Sequence, residues 1–390
     1  MKSISKNLNP NISQKLFYLL ILVLFLRVDL VFDNNTPTGG DMGAHIVAID
    51  TFIKDFMPNF QINGWSNDWF AGYPLYYFYF PLPAIITFFF NLVFPFGVAF
   101  KIMVAMSTIL VVYSVEKLMR KTSNQISIYG ATAGLFYVFT ESFTIYGGNL
   151  ASTLAGQFSF AYSLAFANLS IFYLIKSKNN FRFPISSIFL ALCLLSHLIP
   201  FIIYSPIYAF YWLSKKQNLN QRILSISIFL ALVTRWSISL IMNLEYTTNM
   251  SYTPFSRLDD LIKKDILPIV FILIGLLIAK HKNLIKNKSL NLFDLYLVLS
   301  SILLYFFVPE GALWNGRLVP FFNLGIIFLF FKGVEIFIED INLYQQGVNF
   351  LTILFFGATI YCLYIFYEKW STNQSYLNLY IPIIFLIMIF

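Results

Sequence analysis

Apolar runs of roughly 15–25 residues follow one another along almost the whole chain, with short polar connections between them. At the length a bilayer requires, they predict spans at roughly 15–32, 82–96, 98–118, 125–143, 156–176, 183–197, 199–214, 222–242, 266–280, 292–308, 317–332, 348–367 and 376–390. Nothing in these runs alternates as a strand would. The pattern therefore predicts an all-α, polytopic membrane protein of about 12–13 segments, folded as one domain over 1–390. The 82–96 run is fenced by Pro81, Pro83 and Pro95 and is the shortest, so we read it as a re-entrant piece that shares one net crossing with 98–118. The first run has no small-residue cleavage site and reads as a retained span. At the other end the sequence stops at Phe390 inside an apolar run, as expected of a fragment of a longer protein.

Between the first two spans the period changes. Met42, Ile46, Ile49, Ile53 and Phe56 recur at helical spacing, with Asp41/His45 and Asp50/Lys54 as i,i+4 pairs. They predict a helix lying in the interface plane within a first extracytoplasmic loop, residues 33–81. The stretch from Gly64 to Pro74 has the Trp and Tyr content of the headgroup zone.

Composition agrees with the pattern. The chain is 58% hydrophobic and 11% charged, where a soluble domain carries about 25% charged residues. Its net charge of +8 does not imply nucleic acid, because the bases fall in short clusters between spans. Segments 1–15, 116–124, 176–182 and 214–222 hold three bases each and 280–288 holds four; with Lys332 they account for 17 of 26. This asymmetry places those segments in the cytoplasm. It leaves 33–81, 144–155, the Ser196-His197 corner, 244–265 and 309–317 together on the outer face.

Those outer segments carry the candidate chemistry. Asp41 follows Gly39 and Gly40 at a helix mouth, where the backbone can approach a ligand and the dipole favours a carboxylate. It is a candidate base or, if any residue is, a metal ligand; as a bland alternative it is an N-cap. His45 lies one turn on and can share or orient that proton. Arg317 opens a span on the side where positive-inside makes a base unwelcome, and a guanidinium there suits a phosphate at headgroup depth. Trp314 and Asn315 precede it. Asn149, Thr153, Tyr246, Asn249 and Asp68 offer amide, hydroxyl and carboxylate groups of the kind that bind sugar hydroxyls, or that cap helices. His197, at a corner read between two spans, and Arg235 are costly intramembrane ionisable groups; a structural pairing with a carboxylate is expected for Arg235. Cys193 and Cys362 sit in apolar runs and predict no disulfide framework. A phosphate-binding loop, a nucleophile elbow and a zinc-binding helix motif are all missing, which argues against nucleotide-driven chemistry.

In order along the chain, Gly39-Gly40-Asp41-Met42-Gly43-Ala44-His45, Gly64-Trp65-Ser66-Asn67-Asp68-Trp69-Phe70-Ala71-Gly72 and Tyr79-Phe80-Pro81-Leu82-Pro83 resemble a bacterial polytopic membrane family. That family is labelled "6-pyruvoyl-tetrahydropterin synthase-related". The likeness continues through Phe143–Asn149 with Ala151–Gly156, His197-Leu198-Ile199-Pro200, Tyr246–Met250 and Leu313–Arg317, covering roughly residues 15–335. It implies the GT-C-type superfamily of membrane glycosyltransferases, which keep an acidic residue in the first extracytoplasmic loop as base or metal ligand and take sugar from a polyprenyl-phosphate donor. Asp41 occupies that place. Where relatives often carry Glu after the 152–156 motif, this chain has Gln157, and a large extracytoplasmic domain that often follows the spans is missing. The resemblance implies activity on the outer face of a bacterial cytoplasmic membrane, toward a glycan, lipid or protein of the envelope. A divalent metal is the one cofactor left open. The rival reading is a transporter, a flippase or a non-catalytic subunit of envelope polysaccharide assembly; a transporter would show inverted repeats, and none is evident.

Overall fold

A computed structural model describes residues 26–68, 71–122, 128–140, 145–176, 182–248, 261–262, 270, 292–308 and 313–340. The spans expected at 348–367 and 376–390, and all but one residue of 266–280, lie outside the described residues, as does Asn249.

The fold is helical and polytopic, with one small exception to the all-α expectation. The first loop holds helix α1 (Met42–Thr51), prolonged by a π turn (Phe52–Phe56) and a 3-10 turn (Met57–Asn59). A two-stranded hairpin follows, β1 (Gly64–Ser66) antiparallel to β2 (Tyr73–Leu75), with Trp65 opposite Pro74. The Trp/Tyr-rich stretch read as headgroup-zone loop thus has a ladder of its own. Next come α2 (Leu82–Asn91), α3 (Phe96–Thr122) and α4 (Ile128–Phe139). A short turn (Leu150–Ser152) and a π turn (Thr153–Gln157) lead into α5 (Phe158–Ile175). Helices α6 (Arg182–Ser196), α7 (Leu198–Ser214), α8 (Leu219–Met242), α9 (Leu292–Phe307) and α10 (Val319–Asp340) complete the described part.

Among the described residues, three stretches are long and apolar enough to cross a membrane: Phe96–Met119, Leu150–Ile175 and Leu219–Met242. At 1.5 Å per residue the ten residues of α2 span about 15 Å, half a hydrocarbon core. That length suits a re-entrant piece, and α2 packs beside α3.

Helix α5 is the hub. Nearly every residue along it is buried, and it packs on α3, α6 and α7. Its small residues Ala161, Ser163, Ala165, Ala167 and Ser170 let those neighbours approach closely, as membrane helix packing requires. Helix α8 is its opposite, a rim helix with only Ser225, Val233 and Trp236 buried. Its later turns nevertheless hold the first loop: Trp236 Nε1 donates to the carbonyls of Tyr76 and Tyr79 at 3.1 and 3.0 Å, and Asn63 donates to Ser239 at 2.6 Å. Arg235 was expected to pair with a carboxylate; among the described residues the partner given for it is a backbone group, its Nη2 donating at 2.9 Å to the carbonyl of Phe60, itself held at positive φ. Lys101, near the start of α3, reaches across to the carbonyls of Leu30 and Asp33 and to Asn35 Oδ1, pinning the entry to the first loop.

Helices α9 and α10 pack as a pair. Gly325 allows the contact, since a Cβ there would come within 2.8 Å of Val298 Cγ2. Lys332, one of the bases assigned to the cytoplasmic side, is buried in an ion pair with buried Asp294 of α9.

Candidate functional site

Three separated segments meet at the start of α1. The backbone N–H of Asp41 donates to the Ala155 carbonyl at 2.9 Å, which seats the Gly-Gly-Asp turn on the π turn before α5. Glycine is needed on both sides of that seam. Gly40 has φ +50, and a Cβ on it would fall 2.3 Å from the Ala155 oxygen. Gly156 has φ +105, and a Cβ there would fall 2.9 Å from Asp41 Cβ. No other residue combines that backbone with that clearance.

The Asp41 carboxylate does not cap α1, although it occupies the N-cap position. It points to Gln157, whose Nε2 donates to Asp41 Oδ2 at 3.2 Å. The other end of the same amide accepts from Arg317 Nη1 at 2.7 Å. Arg317 also donates to the Tyr146 carbonyl at 3.1 Å. Its guanidinium lies 5.9 Å from the Trp314 ring centroid, and Trp314 meets Tyr146 edge to face at 5.1 Å. An acid from the first loop and a guanidinium from the last described connection are thus joined through one neutral side chain.

Aromatic rings floor this group. His45 sits against Phe158 at 4.8 Å and Tyr79 at 5.4 Å, and it hydrogen-bonds the backbone of Gly156. Burial pushes its imidazole down to about 4, outweighing the opposing pull of Asp41 and the Gly156 bond. At neutral pH it is therefore an uncharged ring beside a carboxylate. Burial likewise raises the Tyr79 phenol above its ordinary range, and that phenol feels the charges of both Arg317 and Asp41. His197 occupies the break between α6 and α7 in extended conformation, its Nδ1 accepting the Ile199 N–H at 3.2 Å. It stacks on Phe80 at 4.9 Å and lies within electrostatic reach of Arg317.

The sequence-derived residues therefore divide. Asp41, His45, His197, Trp314 and Arg317 come together. Asn149 is fully buried, its Oδ1 accepting the Ser152 N–H at 2.9 Å and its amide donating to the Thr140 carbonyl. Thr153 donates back to the Asn149 carbonyl at 2.8 Å. Buried Asn315 donates to the Tyr305 carbonyl at 3.0 Å. Each of these three side chains bonds a backbone group at a helix end, which must be satisfied somewhere. Asp68 accepts from Thr51 at 2.7 Å and from Ser66 at 3.3 Å, so it ties the hairpin to the far end of α1. Tyr246 ends an exposed 3-10 turn with its side chain outward. Gln157, Tyr79 and Tyr146 belong to the group without having been chosen for it. Gln157 carried one signal, its departure from the acid that relatives often have.

Among the described residues Asp41 has the Gln157 amide, the uncharged His45 and the Tyr79 phenol near it, and no cluster of three His, Cys, Asp or Glu forms. Those described groups alone are fewer than the several oxygen or nitrogen ligands a divalent ion takes.

No protein-family profile and no curated protein matches the chain, so the pterin-related label rests on the motifs alone. Solved structures do match. One is ArnT from Cupriavidus metallidurans in the apo state, with TM-score 0.56 and 13% identity over 91% of this chain and 64% of that one. A second is the same protein bound to undecaprenyl phosphate, with TM-score 0.55 and 12% identity over 96% and 70% of the two chains. At such identity the likeness is one of fold. The chain spans 64% of the length of the apo ArnT chain.

Proposed function

We propose that this chain is a GT-C-type membrane glycosyltransferase that moves a sugar from a polyprenyl-phosphate donor to an acceptor of the bacterial envelope, on the outer face of the cytoplasmic membrane. The observation that carries the reading is the Asp41–Gln157–Arg317 chain. It puts a candidate proton acceptor and a candidate phosphate partner at one seam of a fold shared with a protein whose structure holds undecaprenyl phosphate.

In this reading the acceptor hydroxyl gives its proton to the Asp41 carboxylate as its oxygen attacks the anomeric carbon. The sugar–phosphate bond breaks, and the phosphate leaves with the electron pair. Arg317 offsets the charge that grows on the leaving oxygen. Asp41 keeps its carboxylate out of helix capping, as a base must. His45, uncharged at neutral pH, orients Asp41 and walls the site.

The test is transfer by the full chain reconstituted with polyprenyl-phosphate sugars. Wild-type transfer that collapses in Asp41→Asn is expected; equal rates in the two proteins would remove Asp41 from the mechanism. Solute flux without transfer would favour a transporter.

A further inference from the structure

We propose that Arg235 is the centre of a lipid site: at the seam where α8 meets the first loop, it takes the phosphate of an anionic phospholipid from the leaflet on that side. Such a site needs a membrane around α8 but no transfer reaction.

A helix that crosses a bilayer shows lipid an uncharged face, and α8 has one. Leu232, Ile238 and Met242 are exposed, and at i−3, i+3 and i+7 they share a face with Arg235, which is exposed as well. From Arg235 to Met242, the last residue of α8, the helix rises about 10 Å. A guanidinium set that far in is costly unless it climbs to the headgroups or meets an opposite charge. Here it reaches toward the first loop, where Nη2 donates to the Phe60 carbonyl at 2.9 Å. That bond fixes the direction of the fork, but a carbonyl oxygen cancels no charge, and a guanidinium has five N–H groups to give. Phosphate is the anion that a bilayer offers at this depth, and the planar fork matches two of its oxygens at once. The surroundings suit a headgroup. Phe60 and Trp65 are 82% and 62% exposed, aromatic rings of the kind that sit at the membrane–water boundary. Asn63, between them in sequence, bonds Ser239 one turn beyond Arg235 and so holds the loop at the height of the guanidinium. Because Trp236 next door carries the Tyr76 and Tyr79 carbonyls, a lipid on Arg235 braces the loop as well as the helix.

The experiment uses the full chain in nanodiscs of phosphatidylcholine with phosphatidylglycerol as the anionic probe, read by native mass spectrometry and by melting. Wild type is expected to retain phosphatidylglycerol about fivefold better than Arg235→Gln, the size of one basic side chain's attraction to an anionic surface. Its Tm should also climb more steeply as the phosphatidylglycerol fraction rises. Glutamine can still donate to a carbonyl, so the two proteins should melt alike in pure phosphatidylcholine. Basic clusters elsewhere on the chain draw the same lipid, which is why the difference between the two proteins is the readout. Equal retention would overturn the site. Should Arg235→Gln fail to fold, the wild type alone decides: phosphatidylglycerol with a photoreactive headgroup should label α8 between 232 and 242 or the loop around Phe60, and labelling confined to other segments would overturn the site. Loss of that labelling to equimolar undecaprenyl phosphate would give Arg235 to that lipid instead and overturn the phospholipid assignment.

Discussion

Two pairs of opposite charges in this protein are built in contrasting ways. Asp294 and Lys332 lie buried between α9 and α10 and touch directly. Asp41 and Arg317 lie at a partly open seam and meet only through an amide. A buried direct pair sets each charge against the other, which compensates both for lost solvation. Two charges joined through a neutral amide do not cancel each other directly. The contrast teaches that the position of a charge matters less than whether its partner has already cancelled it.

The comparison can be broken at either end. The largest effect is expected at Asp41, where Asp41→Asn should cut turnover roughly 10²–10⁴-fold, the usual worth of a general base, with Tm almost unchanged; a large melting loss instead would make Asp41 structural. Lys332→Met should behave in reverse. Stranding Asp294 costs about 3–5 kcal/mol, seen as lost folded protein, while Asp294→Leu combined with Lys332→Met should regain most of it. Failure of that rescue would show that the interior pair does more than hold two helices. Arg317→Lys keeps the charge and loses the planar fork, so the donor KM should rise about tenfold with kcat changed less.

The smallest effect concerns His45. Its folded-state imidazole titrates near 4 against an ordinary 6.5, so the unfolded chain binds the extra proton first as pH drops. Stability from this residue is whole above about 6.5 and is lost as pH falls toward about 4. Melting curves between those values should slope less in His45→Gln than in the wild type; equal slopes would place the titration elsewhere.

Much of the scaffold was legible in the chain's own pattern. The period of Met42, Ile46 and Ile49 announced α1, the prolines around 82–96 announced a helix too short to cross, and the His197 break fell where expected. Asp41 and Arg317 stood out because each violates a local expectation, one at a glycine-flanked helix mouth and one on the wrong side for a base. Gln157 stood out only through the resemblance, as a departure from the acid that relatives often carry; its place between Asp41 and Arg317 comes from partners far away in sequence. The partner of Lys332 was likewise not legible, since only packing brings Asp294 beside it. Asn149, Thr153 and Asn315 look like ligand-binding groups in a sequence, yet helix ends in an apolar medium demand the same chemistry for themselves.

The bend between Thr153 and α5 has a consequence for how firmly the first loop is held. Gly156 leaves helical geometry there at φ +105, so the run from Leu150 changes direction just before α5 begins. A side chain at 156 would have to adopt that left-handed backbone and also occupy the space against Asp41 Cβ. The kink in the chain and the seat of residue 41 therefore stand or fall together at a single glycine.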